Sequence, residues 1–303
     1  MRSYKTRAFI TCKRTSFRFL CGSRINVFLQ GITFVKTSLY FVECSLRMDD
    51  CSFEDEFDTG LSLSFALNST ADIYLNGCSF QNNSASSVKI SGNSVRLNIS
   101  NSSFANNTLH NVNDTLFAMS TKDLQVPQMS RFTVNFSNVT VSQNSCPGHA
   151  CFKIVAGINV KLMLEMDQVS FENNQAGESI LDVHGSSNTY VEFKSTQFRT
   201  NAGRAINLHD GSTLKLQITK ATFYENEIGE RRNGGAVSVS GFTQKAFVSL
   251  LRSDFISNKA AANGGACVFY DMFLLILDIE NCQFVQNEVC ISGGALSVGS
   301  NYR

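Results

Sequence analysis

A chain of 303 residues with a formal net charge of +1 and 17% charged residues has no basic field for nucleic acid and no acidic block of the disordered kind. Its 43% hydrophobic content is that of a folded protein, and only two prolines, Pro127 and Pro147, interrupt the supply of backbone N–H groups for sheet ladders. The longest apolar run, Met272 to Leu277, is far shorter than the roughly 20 residues of a membrane-spanning helix, so no transmembrane segment is expected.

The first 23 residues give no defined element. Lys13, Arg14 and Arg18 cut the apolar stretches before an export-signal core forms, so residues 1–23 are set apart as a poorly defined N-terminal segment. From residue 24 to 303 one motif returns. Phe-x-x-Asn pairs Phe80 with Asn83, Phe104 with Asn107, Phe171 with Asn174, Phe198 with Asn201, Phe223 with Asn226, Phe255 with Asn258 and Phe284 with Asn287. Val141 leads to Asn144 in the same way, while Phe34 and Phe53 lead to Thr37 and Glu56. The mean spacing of these ten anchors is about 28 residues, the signature of a solenoid, here expected to have about ten coils.

Each repeat reads as two short strands and a turn. Ahead of the anchor lies an alternating run, such as Leu97-x-Ile99, Leu162-x-Leu164, Leu214-x-Leu216-x-Ile218 and Leu275-x-Leu277-x-Ile279. Alternation over so few residues marks a strand buried on one side. After the turn comes a second alternating run, such as Ala205-Ile206-Asn207-Leu208 or Ala236-Val237-Ser238-Val239. No window carries the apolar spacing of a helix. Stacking the coils puts the anchors Phe53, Phe80, Phe104, Phe171, Phe198, Phe223, Phe255 and Phe284 in one core column and the asparagines in another. Asn is expected at the turn because it tolerates left-handed backbone and because its amide can bond to the next coil's Asn. Gly234-Gly235, Gly264-Gly265 and Gly293-Gly294, each followed by Ala, read as tight corners between neighbouring coils. The longest interval, Phe104 to Val141, is expected to leave the coil as a loop over residues 109–133, and 227–233 reads as a smaller insertion carrying Arg231 and Arg232.

Ten cysteines are many for a cytosolic chain, and none forms a zinc-type pair. Cys51 and Cys78 occupy one register on neighbouring coils, Cys146 and Cys151 flank a short Pro-Gly loop, and Cys282 and Cys290 flank another, which makes them disulfide candidates for an oxidising compartment. Glycosylation sequons begin at Asn68, Asn82, Asn98, Asn101, Asn106, Asn113, Asn135 and Asn138, all within one half of the chain.

Phe-x-x-Asn together with Gly-Gly-Ala-(Ile/Leu/Val) resembles the repeat of the chlamydial polymorphic outer membrane proteins. The matching copies are Phe223–Asn226 with Gly234-Gly235-Ala236-Val237 and Phe284–Asn287 with Gly293-Gly294-Ala295-Leu296. Phe255–Asn258 with Gly264-Gly265-Ala266-Cys267 is a divergent third. The resemblance implies an all-β, right-handed parallel β-helix of the pectin lyase-like kind, and a non-enzymatic adhesin-like passenger at a cell surface. The translocator barrel of the bacterial family is not in the sequence, and the array stops soon after its last Gly-Gly-Ala, so a truncated C-terminus is expected.

Enzymes share this fold class, so a polysaccharide lyase or glycoside hydrolase is the competing expectation; two carboxylates and a basic residue gathered on one sheet face would favour it. The densest acidic group is Asp49, Asp50, Glu54, Asp55, Glu56 and Asp58, where Asp50 and Glu54 could flank calcium but a solvated turn is the plainer reading. His184 and His209 each end a second strand and should be neighbours. Two imidazoles fall short of the three protein ligands of a catalytic zinc, with Asp182 a candidate third, and an outward polar pair is the plainer reading. No catalytic residue, metal or cofactor is assigned. The expected partner is an unidentified surface protein or glycan, in an extracellular or cell-surface location.

Overall fold

The computed structural model describes residues 8–21, 26–56, 58–64, 70–92, 94–121, 130–229 and 232–299. Every regular element among them is a strand, and neighbouring coils pair in parallel throughout. The result is a parallel β-solenoid of about eight turns with about 29 residues per turn. That is fewer than the ten coils expected, because ten anchors enclose only nine intervals and the first, Phe34 to Phe53, is well short of the mean. Strands begin at Ala8–Leu20, within the segment set apart at the N-terminus, and this strand runs parallel to Ile32–Val42.

Three columns of strands build the wall. The first gathers the runs ahead of each anchor, from Asn26–Gln30 through Thr70–Asn76 and Asn188–Lys194 to Leu275–Glu280. The second is the anchor column, with short strands such as Ser79–Gln81, Gln197–Arg199 and Asp254–Ile256. The third holds the second alternating runs, including Leu61–Ser64, Val88–Ser91, Phe117–Ser120 and Cys267–Tyr270. Alternate apolar residues of all three columns point inward and form one continuous core, while others in the same strands, such as Phe28, Phe247 and Ile276, face outward.

Left-handed residues bracket the anchor strand. Three residues before the anchor stand Asp50, Gly77, Asn101, Asn138, Gln168, Ser195, Lys220, Arg252 and Asn281, all with positive φ. Two residues after it stand Asp55, Asn82, Asn106, Gln143, Asn173, Thr200, Glu225, Ser257 and Gln286, again with positive φ. The ladder asparagines themselves are not left-handed, contrary to expectation. The bend is made one residue earlier, which frees the ladder Asn to point inward. Each bend costs on the order of 1 kcal/mol for a non-glycine residue, repaid by the column it aligns.

Phe53, Phe80 and Phe104 stack with centroids 5.1 and 4.7 Å apart, and Phe171, Phe198, Phe223, Phe255 and Phe284 continue at 4.6–5.3 Å. Val141 leaves a gap between the two stacks. Phe152, from the third column, fills it, meeting Phe104 at 5.2 Å and Phe171 at 5.5 Å edge-on. Beside this column the buried asparagines form a hydrogen-bonded wire. Asn174 Nδ2 donates to Val141 O (2.8 Å) and to Asn201 Oδ1 (3.0 Å), while its Oδ1 accepts from Asn144 N (3.1 Å) and Asn144 Nδ2 (2.8 Å). Asn107, Asn144, Asn226 and Asn258 likewise donate Nδ2 to a carbonyl of the preceding coil and to the following Asn. Asn83 N donates to Asn107 Oδ1 and Asn287 Nδ2 to Phe255 O. An amide buried this way leaves no donor or acceptor unpaired. At the N-terminal end Glu56 takes the Asn position: its Oε1 accepts from Thr37 N (2.7 Å) and its own N donates to Asn83 Oδ1 (2.9 Å).

The paired glycines have separate reasons. Gly234, Gly264 and Gly293 have positive φ. At the second position the obstacle is space: a Cβ on Gly235 would stand 2.4 Å from Gly265 O, and one on Gly265 would stand 2.2 Å from Gly294 O. A Cβ on Gly294 would lie 3.1 Å from Asn287 O, a milder conflict.

Among the described residues two disulfides are present, Cys21–Cys44 and Cys146–Cys151. The second was a sequence candidate; the first was not. Cys51 and Cys78 are free and buried, Cys282 and Cys290 are free, and neither expected bond forms. Strict register explains the first pair: stacked equivalents keep parallel Cα–Cβ directions about 4.8 Å apart, wider than the mean Cβ separation of a disulfide, about 3.8 Å. Cys51 Sγ donates instead to Asp49 O, and Cys78 Sγ to Met48 O. Burial pushes the Cys78 thiol up to about 12. Cys21 and Cys44 are offset by one residue from strict register, since Leu20 faces Val42, and can converge.

The stretch 109–133 contains more of the coil than expected. Leu109, Leu116, Phe117 and Met119 are buried, and Phe117–Ser120 pairs with both Val88–Ser91 and Ala150–Val155. Residues 122–129 lie outside the described residues, as do Asn68 and Arg231.

Candidate functional site

On the outward face of the third column the coils stop repeating. Lys153, Asp182, Asn207 and Ser238 align in one row, and Val155, His184, His209 and Ser240 in the next. The histidines are neighbours in register, as their places after Val183 and Leu208 require, with ring centroids 4.9 Å apart.

A buried chain of hydrogen bonds orients His209. Arg204 donates through Nε to Asn233 O (2.9 Å) and Gly234 O (3.2 Å), and through Nη1 to Asn207 Oδ1 (2.5 Å). Asn207 Nδ2 donates to Asp182 Oδ1 (2.8 Å), and His209 Nε2 donates to the same oxygen (3.1 Å). The other ring nitrogen, Nδ1, lies 2.8 Å from Asp210 Oδ2, and His184 Nε2 lies 3.7 Å from that oxygen. Asp210 has positive φ and ends its run by turning its carboxylate back across both rings. Opposite it on the next coil is Gly241, where a Cβ would stand 2.7 Å from Asp210 Oδ1.

The electrostatics follow from this order. Burial alone would raise the Asp182 carboxyl, which is 7% exposed, but the hydrogen bond and charge of His209, with Asn207, reverse that and hold it below the usual carboxylate range. Burial opposes charge on His209 too, yet Asp182 and Asp210 together push it up. His184 is pushed down, by burial and then by the charge of His209. The pair is therefore unequal: one imidazole is held by two carboxylates and the other favours its neutral, lone-pair-bearing form.

An open cleft of about 480 Å3 begins at His184 and Asp210 and runs past Gly157, Ile158, Ser186, Ser187, Ser212 and Thr243. At the far side of the same sheet, Arg232 from the 227–233 insertion pairs with Glu178 (3.1 Å) and donates to Gly177 O (2.9 Å).

The other sequence candidates go elsewhere. Acidic residues of the 49–58 group are dispersed: Asp49 pairs with Arg47, Glu54 accepts from Gln81, Asp58 accepts from Tyr40, and Glu56 joins the Asn column. Among the described sequons, Asn82, Asn101, Asn106, Asn113 and Asn138 are exposed, while Asn98 and Asn135 are half-buried and bonded to each other. Asp210 and Arg204 were missed in sequence. Asp210 follows His209 directly and was visible as a His-Asp pair; Arg204 stood in the corner position otherwise held by glycine.

No protein-family model matches the chain, and neither a curated protein nor a solved structure matches it. The described residues include no helix long and apolar enough to cross a membrane.

Proposed function

We propose that the chain is a non-enzymatic β-helix of a cell surface or extracellular space, a binding scaffold whose unrepeated outward face engages a protein or glycan. One observation carries this reading: the repeated Phe and Asn residues are buried in stacking, whereas the cleft beside His184 and Asp210, which also takes in the glycines ending successive runs, presents side chains that do not recur in every coil, Ile158, His184, Asp210 and Thr243. The likeness of its Phe-x-x-Asn and Gly-Gly-Ala repeats to those of chlamydial polymorphic outer membrane proteins supports an adhesin-like role. The two disulfides and the exposed sequons support an oxidising, glycosylating compartment. In glycan-array and cell-binding assays, purified protein is expected to bind, and Ile158→Glu with Thr243→Glu on the cleft rim to weaken binding at least tenfold. No binding to any panel member would overturn the scaffold reading, and binding indifferent to both changes would overturn the cleft as its site.

A carbohydrate-active enzyme is the second reading, and one observation favours it. Asp182 and Asp210 flank a single imidazole, which sets the carboxylates within the roughly 5–10 Å used in two-carboxylate glycoside hydrolysis, with Arg204 and Lys153 on the same face. It requires release of reducing or unsaturated ends from a polysaccharide and loss of that release in Asp210→Asn. Inactivity on acidic and neutral polysaccharides, with and without calcium, would rule it out.

A further inference from the structure

We propose that His184 Nε2, His209 Nδ1 and the Asp210 carboxylate form a three-ligand site for a divalent ion of the zinc class, with an open coordination position facing the cleft. The donors already converge: one atom from each lies within 4.8 Å of the others. Zinc bonds of 2.0–2.2 Å in tetrahedral order set ligand atoms about 3.3 Å apart. The observed 2.8 Å from His209 Nδ1 to Asp210 Oδ2 and 3.7 Å from His184 Nε2 to the same oxygen bracket that figure. Asp210 is the exposed member, its side chain 61% accessible, and can take up the adjustment.

Support behind the ligands is the second argument. Metal-bound histidines characteristically donate their other N–H to a carboxylate, which fixes the tautomer and strengthens the ligand nitrogen. Asp182 fills that role for His209, and Asn207 and Arg204 hold Asp182 in turn. With Nε2–H committed to Asp182, the Nδ1 lone pair faces a carboxylate oxygen at 2.8 Å, and a cation must lie between them. A proton can serve, and so can a metal ion that also gathers His184. Asp182 is thus a positioning residue and Asp210 the third ligand, whereas the sequence offered Asp182 only as a candidate third beside the plainer reading of an outward polar pair. Two imidazoles and one carboxylate suit zinc and its borderline neighbours over calcium or magnesium, which prefer all-oxygen sites. The open position would take water, or an oxygen of whatever occupies the cleft.

The test uses Zn2+ alone, on purified protein stripped with chelator and dialysed. Equilibrium dialysis with atomic absorption, and calorimetry, should find one equivalent bound. His184→Ala and Asp210→Asn, both at partly open positions, should each weaken binding at least tenfold while leaving the circular dichroism spectrum and melting temperature of the stripped protein unchanged. Asp182→Asn should weaken it 10–100-fold, and Co2+ should give an absorption band that His184→Ala abolishes. His149→Ala, an exposed histidine remote from the cluster, should bind normally. Absence of a Zn2+ site, or Zn2+ binding indifferent to His184→Ala and Asp210→Asn, overturns the proposal. Neither result depends on a surface partner, so it can fail while the binding reading stands.

Discussion

A ladder asparagine and the glutamate that replaces it show what one side chain must supply here. In the interior coils the amide offers two donors and two acceptors, and all four are used. Glu56 offers the acceptor to Thr37, but a carboxyl group supplies a donor only when protonated. Burial, reinforced by Asp55 and Asp58, accordingly pushes Glu56 up to about 7, against the opposing bond from Thr37 N. Because the folded value lies above the unfolded one near 4.5, the native state binds the extra proton between those limits, and stability falls as pH rises through that window. We expect Glu56→Gln to flatten the dependence between pH 4.5 and 7.5 and to stabilise the protein at pH 8 by about 1–2 kcal/mol, solvent screening included. Urea titrations across that range check it. An unchanged pH slope in the variant would remove Glu56 as its source.

Between elements, the notable event is the exchange at Val141. The anchor column loses its ring there, and Phe152 enters from another column to meet both neighbouring rings. Val141→Phe should therefore overpack the core and cost about 1–3 kcal/mol, and Phe152→Ala should leave a cavity costing about 3–5 kcal/mol. The double variant restores a ring where one was removed and should be less destabilised than the sum, by 1 kcal/mol or more, in denaturant unfolding. Additive losses would mean that the two positions do not share the gap. Such exchanges also mark the limit of sequence reading. Anchors, asparagines and corner glycines were legible because each repeats in fixed register and its chemistry follows from stacking. The strand Phe117–Ser120 was not, because its alternation is short and no anchor stands between Phe104 and Val141 to mark it. Within the cleft, His184 and His209 could be placed side by side from register. The His209-Asp210 pair was there to be seen, but the reach of Asp210 to both rings was not, since it depends on a left-handed turn that alternation does not reveal. Nor could Arg204, whose partners Asn233 and Gly234 lie a coil away.

At the scale of the molecule, nearly every bond that joins one coil to the next runs along the same axis. Sheet hydrogen bonds, the Asn wire and the Phe stack all cross the same interfaces, and few contacts skip a coil. Under tension applied at the two ends, these interfaces carry the load in series, so the protein should yield as a row of separate links. Each opened coil of about 29 residues would release about 100 Å of chain at roughly 3.3–3.6 Å per residue. Single-molecule stretching should record a sawtooth with that spacing, and one all-or-none rupture would contradict it. The Cys21–Cys44 bond spans two neighbouring coils and withholds the chain between them until it is reduced. A rod built this way would absorb a pull by lengthening in steps, holding its grip while it gives.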